Sequence, residues 1–277
     1  MRVLIAGCGY VGSALARMLV QDGHDVFGLR RSPSDLPGGV TPVTADLAEG
    51  VGLDAVPGHL DACVSAISAD GRSESAYEAA YVRATRNLRS LLEVESPDLQ
   101  RWVFVSSTAV YGDEDGAWVD EATENTPSSF TGRLVLEGES LVRDAPFPHR
   151  TAIRLGGIYG PGRTRLIDSV RTGEATCPPE PSWTNRIHRD DAAGAIRHLL
   201  ALDSPPEIVN GTDTDQAERC EVLTWMAEQL GAPRPRTGPG SSRGNKRVSS
   251  ALLQSTGYAF RYPTFREGYR AMLDGQV

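Results

Sequence analysis

The sequence predicts an α/β fold, a doubly wound parallel sheet followed by a small C-terminal lobe. Three observations carry that expectation: short apolar or β-branched runs alternate with helix-period patterns through the first 155 residues, a glycine-rich turn joins the first run to the first helix, and Pro and Gly become frequent after Leu155. At 277 residues the chain has room for one large α/β domain, or such a domain plus a lobe, and too little for three separate cores. The expected division is 1–155 and 156–277, the second part interwoven with the first.

In chain order, strands are expected at Val3 to Ala6, Asp25 to Leu29, Val40 to Thr44, Ala62 to Ile67, Trp102 to Ser106 and Arg150 to Arg154. Helices fall between them, at Tyr10 to Gln21, Glu74 to Glu95 and Gly132 to Arg143. The second helix sets Tyr77, Tyr81, Ala84, Leu88, Leu91 and Leu92 on one stripe, with Arg83, Arg86 and Arg89 largely off it, which reads as a core-facing side. Beyond Leu155, helices are expected at Asp190 to Leu202 and Ala217 to Leu230, with a Pro/Gly/Arg loop from Gly231 to Gly244. No repeat appears at the periods that mark solenoids or propellers.

Composition narrows the function classes. A net charge of -8 disfavours nucleic-acid binding, which needs a basic face to gain from counterion release, so a small-molecule substrate is the better expectation. Of 28 basic side chains a single one, Lys246, is lysine. Cys8, Cys63, Cys177 and Cys220 show neither Cys-x-x-Cys nor Cys/His metal spacing and read as reduced thiols, which points to a cytoplasmic protein without a metal site. Met1 to Val20 is interrupted by Gly7, Gly9, Gly12 and Arg17 and does not read as a signal or membrane-spanning segment.

Val3 to Ala6 runs straight into Gly7-Cys8-Gly9-Tyr10-Val11-Gly12, and a helical pattern starts at once. Strand, turn and helix in that order are the context a Gly-x-Gly-x-x-Gly fingerprint requires. The first glycine makes the tight turn, the second lets a pyrophosphate reach the backbone, and the third lets helix and sheet pack closely. Gly7, Gly9, Tyr10, Val11 and Gly12 are therefore expected to hold a nicotinamide dinucleotide in a Rossmann-type domain. An Asp or Glu at the end of the second strand would bind the ribose 2′-hydroxyl of NAD. Here that strand ends in Arg30-Arg31-Ser32, and arginine donates paired hydrogen bonds well suited to a 2′-phosphate, so NADP(H) is expected over NAD(H). The alternative is a solvated loop with incidental arginines. Asp46 and Leu47 after the third strand, with Ala66, Ile67 and Ser68 after the fourth, fall where the sheet's carboxyl edge would meet the adenine and inner ribose; each is also compatible with an ordinary loop.

These motifs, together with the runs from Val105 to Gly112, Arg154 to Gly162 and Arg186 to Ala193, and Lys246 to Ser249 followed by Gly257-Tyr258, resemble the extended short-chain dehydrogenase/reductase superfamily, and within it the NAD-dependent epimerase/dehydratase group. The resemblance covers nearly the whole chain. It implies that Ser107, four residues before Tyr111 of the Tyr-Gly pair, hydrogen-bonds the reacting oxygen of a substrate. The bland reading of Ser107 is a strand-end hydroxyl serving local backbone. The resemblance also places Ser106, Arg133 and Leu155 beside the dinucleotide, and Thr108, Gly157, Tyr159, Arg163, Arg186 and His188 toward the substrate; the bland readings are surface arginines without a ligand and a His188 that orients its loop beside Asp190 and Asp191. Helices Glu74 to Glu95 and Gly132 to Arg143 correspond to a dimer interface in relatives, which leaves a homodimer as an open expectation.

One departure is visible in the sequence. The group's acid/base is the Tyr of a Tyr-x-x-x-Lys pair, yet the residue four before Lys246 is Ser242, so no such pair exists here. In the segment resembling the catalytic helix, the candidate pairs are Ser129 with Arg133, Phe130 with Leu134, or Thr131 with Val135, and none supplies the dyad. Arg133 can steady a ribose or phosphate but stays protonated. Tyr111 is the substitute acid to consider, against a structural Tyr at the sheet edge; an unassisted phenol titrates near ~10 and is a weak base. Two functions follow: an NADP-dependent oxidoreductase or epimerase/dehydratase-like enzyme with a non-standard site, or a catalytically silent NADP(H)-binding sensor or scaffold.

Overall fold

Val3, Leu4, Ile5 and Ala6 have no exposed surface, and Ala62, Cys63 and Val64 are equally buried. Parallel strands covered by helices on both faces must be apolar throughout rather than alternating, and these runs meet that condition. A computed structural model of the chain describes residues 1–32, 34–112, 114–239 and 244–275. Part of the predicted loop from Gly231 to Gly244, and Ser242 with it, lies outside the described residues.

The elements run β1 (Arg2–Ala6), α1 (Tyr10–Gln21), β2 (Asp25–Arg30), β3 (Val40–Thr44), β4 (Ala62–Ser65), α2 (Glu74–Tyr77), a π-helical stretch (Glu78–Arg83), α3 (Ala84–Glu95), β5 (Arg101–Ser107), β6 (Trp118–Val119), α4 (Phe130–Arg143), β7 (His149–Leu155) and β8 (Gly157–Tyr159). They continue with α5 (Arg165–Arg171), β9 (Thr176–Cys177), β10 (Arg186–His188), α6 (Arg189–Ala201), β11 (Ile208–Gly211), α7 (Arg219–Leu230), β12 (Arg236–Thr237), β13 (Arg247–Val248), α8 (Ala251–Ser255) and α9 (Phe265–Leu273). The expected strands and helices are all found, with ends shifted by one or two residues. Several elements were not anticipated, namely α5, α8, α9 and the two- and three-residue strands β6, β8, β9, β10, β12 and β13, all of them short. Two further features stand out. The helix expected from Glu74 to Glu95 carries the π-helical stretch in its middle, and β11 had too few apolar residues to be recognised.

The main sheet has seven strands in the order β11-β7-β5-β4-β1-β2-β3, and the β5-β4, β4-β1, β1-β2 and β2-β3 pairings are parallel. The chain builds outward from β1 in one direction and then returns to its other side at β4. That reversal creates the crevice beyond the carboxyl end of β1 where dinucleotides bind in such sheets.

Contacts divide the chain into two units, one of residues 1–110, 127–154 and 192–209, the other of 111–126, 155–191 and 210–277. In the first, Trp102 is buried against Phe147 and donates its indole N–H to Ser65 at 2.8 Å. Ala84, Leu88 and Leu92 of the predicted stripe are buried, while Tyr77, Tyr81 and Leu91 are half-buried. α4 starts two residues before Gly132 because Ser129 caps it, accepting from the Gly132 N–H. Gly138 lets α4 approach closely, since a Cβ there would lie 2.6 Å from the Tyr81 carbonyl oxygen. In the second unit α5, α7 and α9 enclose Ile167, Leu223, Met226 and Phe265, and Thr264 with Glu267 forms a capping box on α9. Among the described residues no helix is long and apolar enough to cross a membrane.

Candidate dinucleotide site and the polar cluster of the second unit

The turn after β1 is shaped by glycine for three separate reasons. Gly7 has φ of 87°, and a Cβ there would lie 2.6 Å from the Ala66 carbonyl oxygen. Gly12 would put a Cβ 2.7 Å from the Gly7 oxygen and 3.0 Å from Ile5. At Gly9 the φ is -92° and an added Cβ would meet nothing nearer than the Gly7 oxygen at 3.9 Å. Protein packing thus demands glycine at positions 7 and 12, whereas position 9 leaves open space above the backbone.

α1 begins directly beyond that space with Gly9 as its N-cap. No side chain caps it and no acidic residue stands in its own first turn, so neither local device occupies the positive end of the helix. The turn itself is fixed by the Gly7 and Cys8 N–H groups, which both donate to the Leu29 oxygen at 3.1 Å. The turn has the makings of a pyrophosphate cradle, in which Tyr10, Val11 and Gly12 would supply backbone and the helix end would favour negative charge.

Arg30 is half-buried, and Arg31 and Ser32 are exposed. Arg31 pairs with Asp70 at 2.6 Å, both side chains more than half exposed. That hydrogen bond holds the Asp70 carboxyl below its usual range and raises the Arg31 guanidinium further. Asp46 is half-buried and accepts from the Ala48 and Glu49 N–H groups, so its carboxylate serves its own turn. Leu47 is buried, with its carbonyl accepting from Asn87 at 2.7 Å. Ala66 and Ile67 are half-buried and Ser68 exposed, and the Ala66 N–H donates to the Ala6 oxygen.

Ser106 faces the core, donating to Glu139, whose other bonds come from Arg154 at 3.0 and 2.8 Å. This buried pair was not visible in the sequence, since nothing local links positions 139 and 154. Leu155 is buried. Arg133 is exposed on α4 and pairs with Glu74 at 3.5 Å. Ser107 is half-buried, and its oxygen accepts from the Ala109 N–H at 3.2 Å, which leaves the hydroxyl hydrogen available as a donor. Thr108 beside it is half-buried.

The second unit buries several of the residues considered for the substrate side. Tyr111 is only 1% exposed, and its hydroxyl donates to Asn210 Oδ1 at 2.9 Å. Lys246 is also buried, its Nζ donating to the Tyr111 and Gly112 carbonyls at 3.3 and 2.7 Å. The lysine therefore holds the backbone of the Tyr-Gly pair, and the phenol donates to an amide oxygen. Tyr159, Arg186 and His188, expected to face substrate, are buried as well. Tyr159 stacks on Tyr269 and meets His188 edge to face; Gly268 makes room, since a Cβ there would lie 1.9 Å from the Tyr159 hydroxyl. Arg186 reaches Thr184 and stands 4.0 Å from Asp213, a carboxylate with no exposed surface. Of the expected substrate-side residues here, Gly157 and Arg163 are exposed, and Arg163 donates to the Ile158 carbonyl.

Burial pushes the Asp213 carboxyl well above the usual carboxylate range, with Arg186 pulling the other way. His188 is lowered to about 4 by burial, against an opposing pull from Asp190. The Asp190 N–H donates to His188 Nδ1, so the ring is neutral with its hydrogen on Nε2. Neither Asp213 and Asn210 nor Lys246 was singled out as part of this cluster beforehand; a buried charge leaves no periodic mark in the sequence.

Comparisons with known proteins agree with this architecture. Residues 3–210 match the NAD dependent epimerase/dehydratase family. The solved structure of a Methylobacillus flagellatus protein assigned to the NAD-dependent epimerases/dehydratases is 37% identical, with a TM-score of 0.83 over 99% of this chain and 98% of that one. Protein YeeZ of Escherichia coli K12 is 28% identical over 274 residues, covering 95% of this chain and 96% of YeeZ. Human epimerase family protein SDR39U1, solved with NADPH, shares the fold at 23% identity, with a TM-score of 0.82 over 99% of each chain. The names of these relatives carry both NAD and NADPH.

Proposed function

The chain belongs to the NAD dependent epimerase/dehydratase family, and from that premise we propose that it is an NADP(H)-dependent oxidoreductase acting on a small carbonyl or hydroxyl compound. The observation that carries the reading is the open space over Gly9 at an uncapped helix start, with Arg30, Arg31 and Ser32 at the end of the neighbouring strand. The helix start would take the pyrophosphate and the guanidinium groups the 2′-phosphate. Human SDR39U1, solved with NADPH, supports that choice of coenzyme.

When bound, the nicotinamide supplies hydride exchange with a carbon of the substrate. Ser107 would donate its remaining hydroxyl hydrogen to the substrate oxygen and so stabilise charge developing there. Tyr111 and Lys246 are assigned no proton transfer in this reading, because each is already held within the second unit. The same observation favours a second reading, an NADP(H)-binding sensor or scaffold without turnover.

Titration calorimetry of NADPH and NADH, with NADPH absorbance followed in the presence of aldehydes, ketones and nucleotide sugars, tests both. The expected result is tighter binding of NADPH and substrate-dependent loss of the nicotinamide band. Binding without any such loss across the panel would favour the sensor. Replacing Arg30 and Arg31 together by Ala should weaken NADPH at least tenfold more than NADH, and equal weakening would overturn the 2′-phosphate assignment.

A further inference from the structure

Arg31 follows β2 directly, and Asp70 stands five residues past the end of β4. The strand order β4-β1-β2 puts β1, with its glycine turn, between those two exits. Adjacent strands lie ~4.8 Å apart, so the Arg31–Asp70 pair spans about two strand spacings, roughly 10 Å, above the carboxyl end of β1. The close approach of the Ala66 carbonyl to Gly7 shows that the segment leaving β4 lies against the turn itself. The ion pair thus joins the segments that leave the two strands flanking β1, and is formed by the same guanidinium expected to meet the coenzyme's 2′ position.

We infer that Asp70 is a specificity-determining residue, an internal anion that competes with the coenzyme's 2′-phosphate for Arg31 and so limits the preference for NADP(H). The inference rests on the 2′-phosphate reading given above. A phosphoryl group carries more charge than a carboxylate and more acceptor oxygens, so it takes over the guanidinium when it arrives. An NAD(H) molecule, with a 2′-hydroxyl, leaves the Arg31–Asp70 pair in place. The pair is solvent-exposed and therefore weak, which sets the size of the effect at a few-fold in affinity.

The experiment is a double-mutant cycle on the full chain, with NADPH and NADH dissociation constants measured by calorimetry for the unaltered protein, Asp70→Asn, Arg31→Ala and the double variant. Both positions are exposed, and unchanged thermal midpoints establish that the variants are folded. Asp70→Asn is expected to tighten NADPH about two- to fivefold, to change NADH by less than about 1.5-fold, and to lose its effect on NADPH in the Arg31→Ala background. No change in NADPH affinity, or a weakening, would overturn the competition. Equal tightening with and without Arg31 would overturn it too, because the carboxylate would then act only by repelling phosphate through space. If Arg31→Ala weakens both coenzymes alike, the 2′-phosphate reading itself fails, an outcome separate from any behaviour of Asp70.

Discussion

The glycine turn of the first unit and the polar cluster of the second reverse what their residue types suggest. Gly7, Gly9 and Gly12 carry no functional group, yet around Gly9 the backbone is left open beside an uncapped helix start. Arg186, His188, Tyr159 and Asp213 carry four functional groups and are buried against one another. The difference teaches that a site is marked by polarity the fold leaves unspent. Side-chain chemistry alone marks it poorly, because an arginine near a motif serves the core as readily as a ligand.

The largest effect that tests this contrast belongs to Arg186. If it serves the core, removing it empties a packed, buried site over the Phe265 ring and takes the guanidinium away from Asp213, a loss of about 3–4 kcal/mol. Arg186→Ala should therefore lower the urea midpoint substantially whether or not coenzyme is present. A variant of undiminished stability that had lost only substrate affinity would break the comparison and return Arg186 to the role the sequence suggested.

His188 sharpens the same point through pH. Its folded-state pKa of about 4 lies below the ordinary value of 6.5, so between those values the unfolded chain takes up a proton that the folded chain refuses. The stabilisation is complete above the unfolded value and is lost as pH falls toward about 4, amounting to roughly 3 kcal/mol in full. Asp213 works in the opposite sense: with its pKa raised, protonation in the folded state favours folding as pH falls. A single-protein titration mixes the two. The stability gap between the unaltered protein and His188→Gln, measured by urea unfolding from pH 7 to pH 4, isolates the histidine and should shrink on acidification. A constant gap would mean that the imidazole is not held neutral.

Much of the first unit was legible because its signals are local and periodic. The runs at residues 3–6 and 62–65 are apolar without alternation, and the glycine spacing sits between a strand and a helix. The failures share a physical cause. Tyr111 with Asn210 and Arg31 with Asp70 are pairings made by topology over long stretches of chain, and Glu139 meets Arg154 only because α4 packs on the sheet that holds β7, which no periodicity within either element announces. Tyr111 looked like a substitute acid because its neighbours in sequence are a strand end and Ser107. Its hydroxyl meets a residue 99 positions away. β11 went unseen for a related reason, since only Ile208 and Val209 give it apolar character and its pairing partner does the rest.

Gly9 offers the smallest substitution and the most direct test of the open end of the comparison. Its φ is not in the left-handed region, and an added Cβ meets no protein atom closer than 3.9 Å, so Gly9→Ala should alter stability by no more than about 0.5 kcal/mol. The same methyl group would stand where a pyrophosphate must approach the backbone, and a misfit of that kind is expected to weaken NADPH and NADH alike by about tenfold, or 1.4 kcal/mol. Gly7→Ala is the contrasting control. Its positive φ and the backbone oxygen at 2.6 Å should make it lose stability before any question of binding arises. Calorimetry and thermal unfolding on the two variants separate a glycine kept for the fold from one kept for a ligand. If Gly9→Ala bound both coenzymes as tightly as the unaltered protein, the space above that residue would not be a phosphate cradle, and the second unit's closed cluster would have no open counterpart in the first.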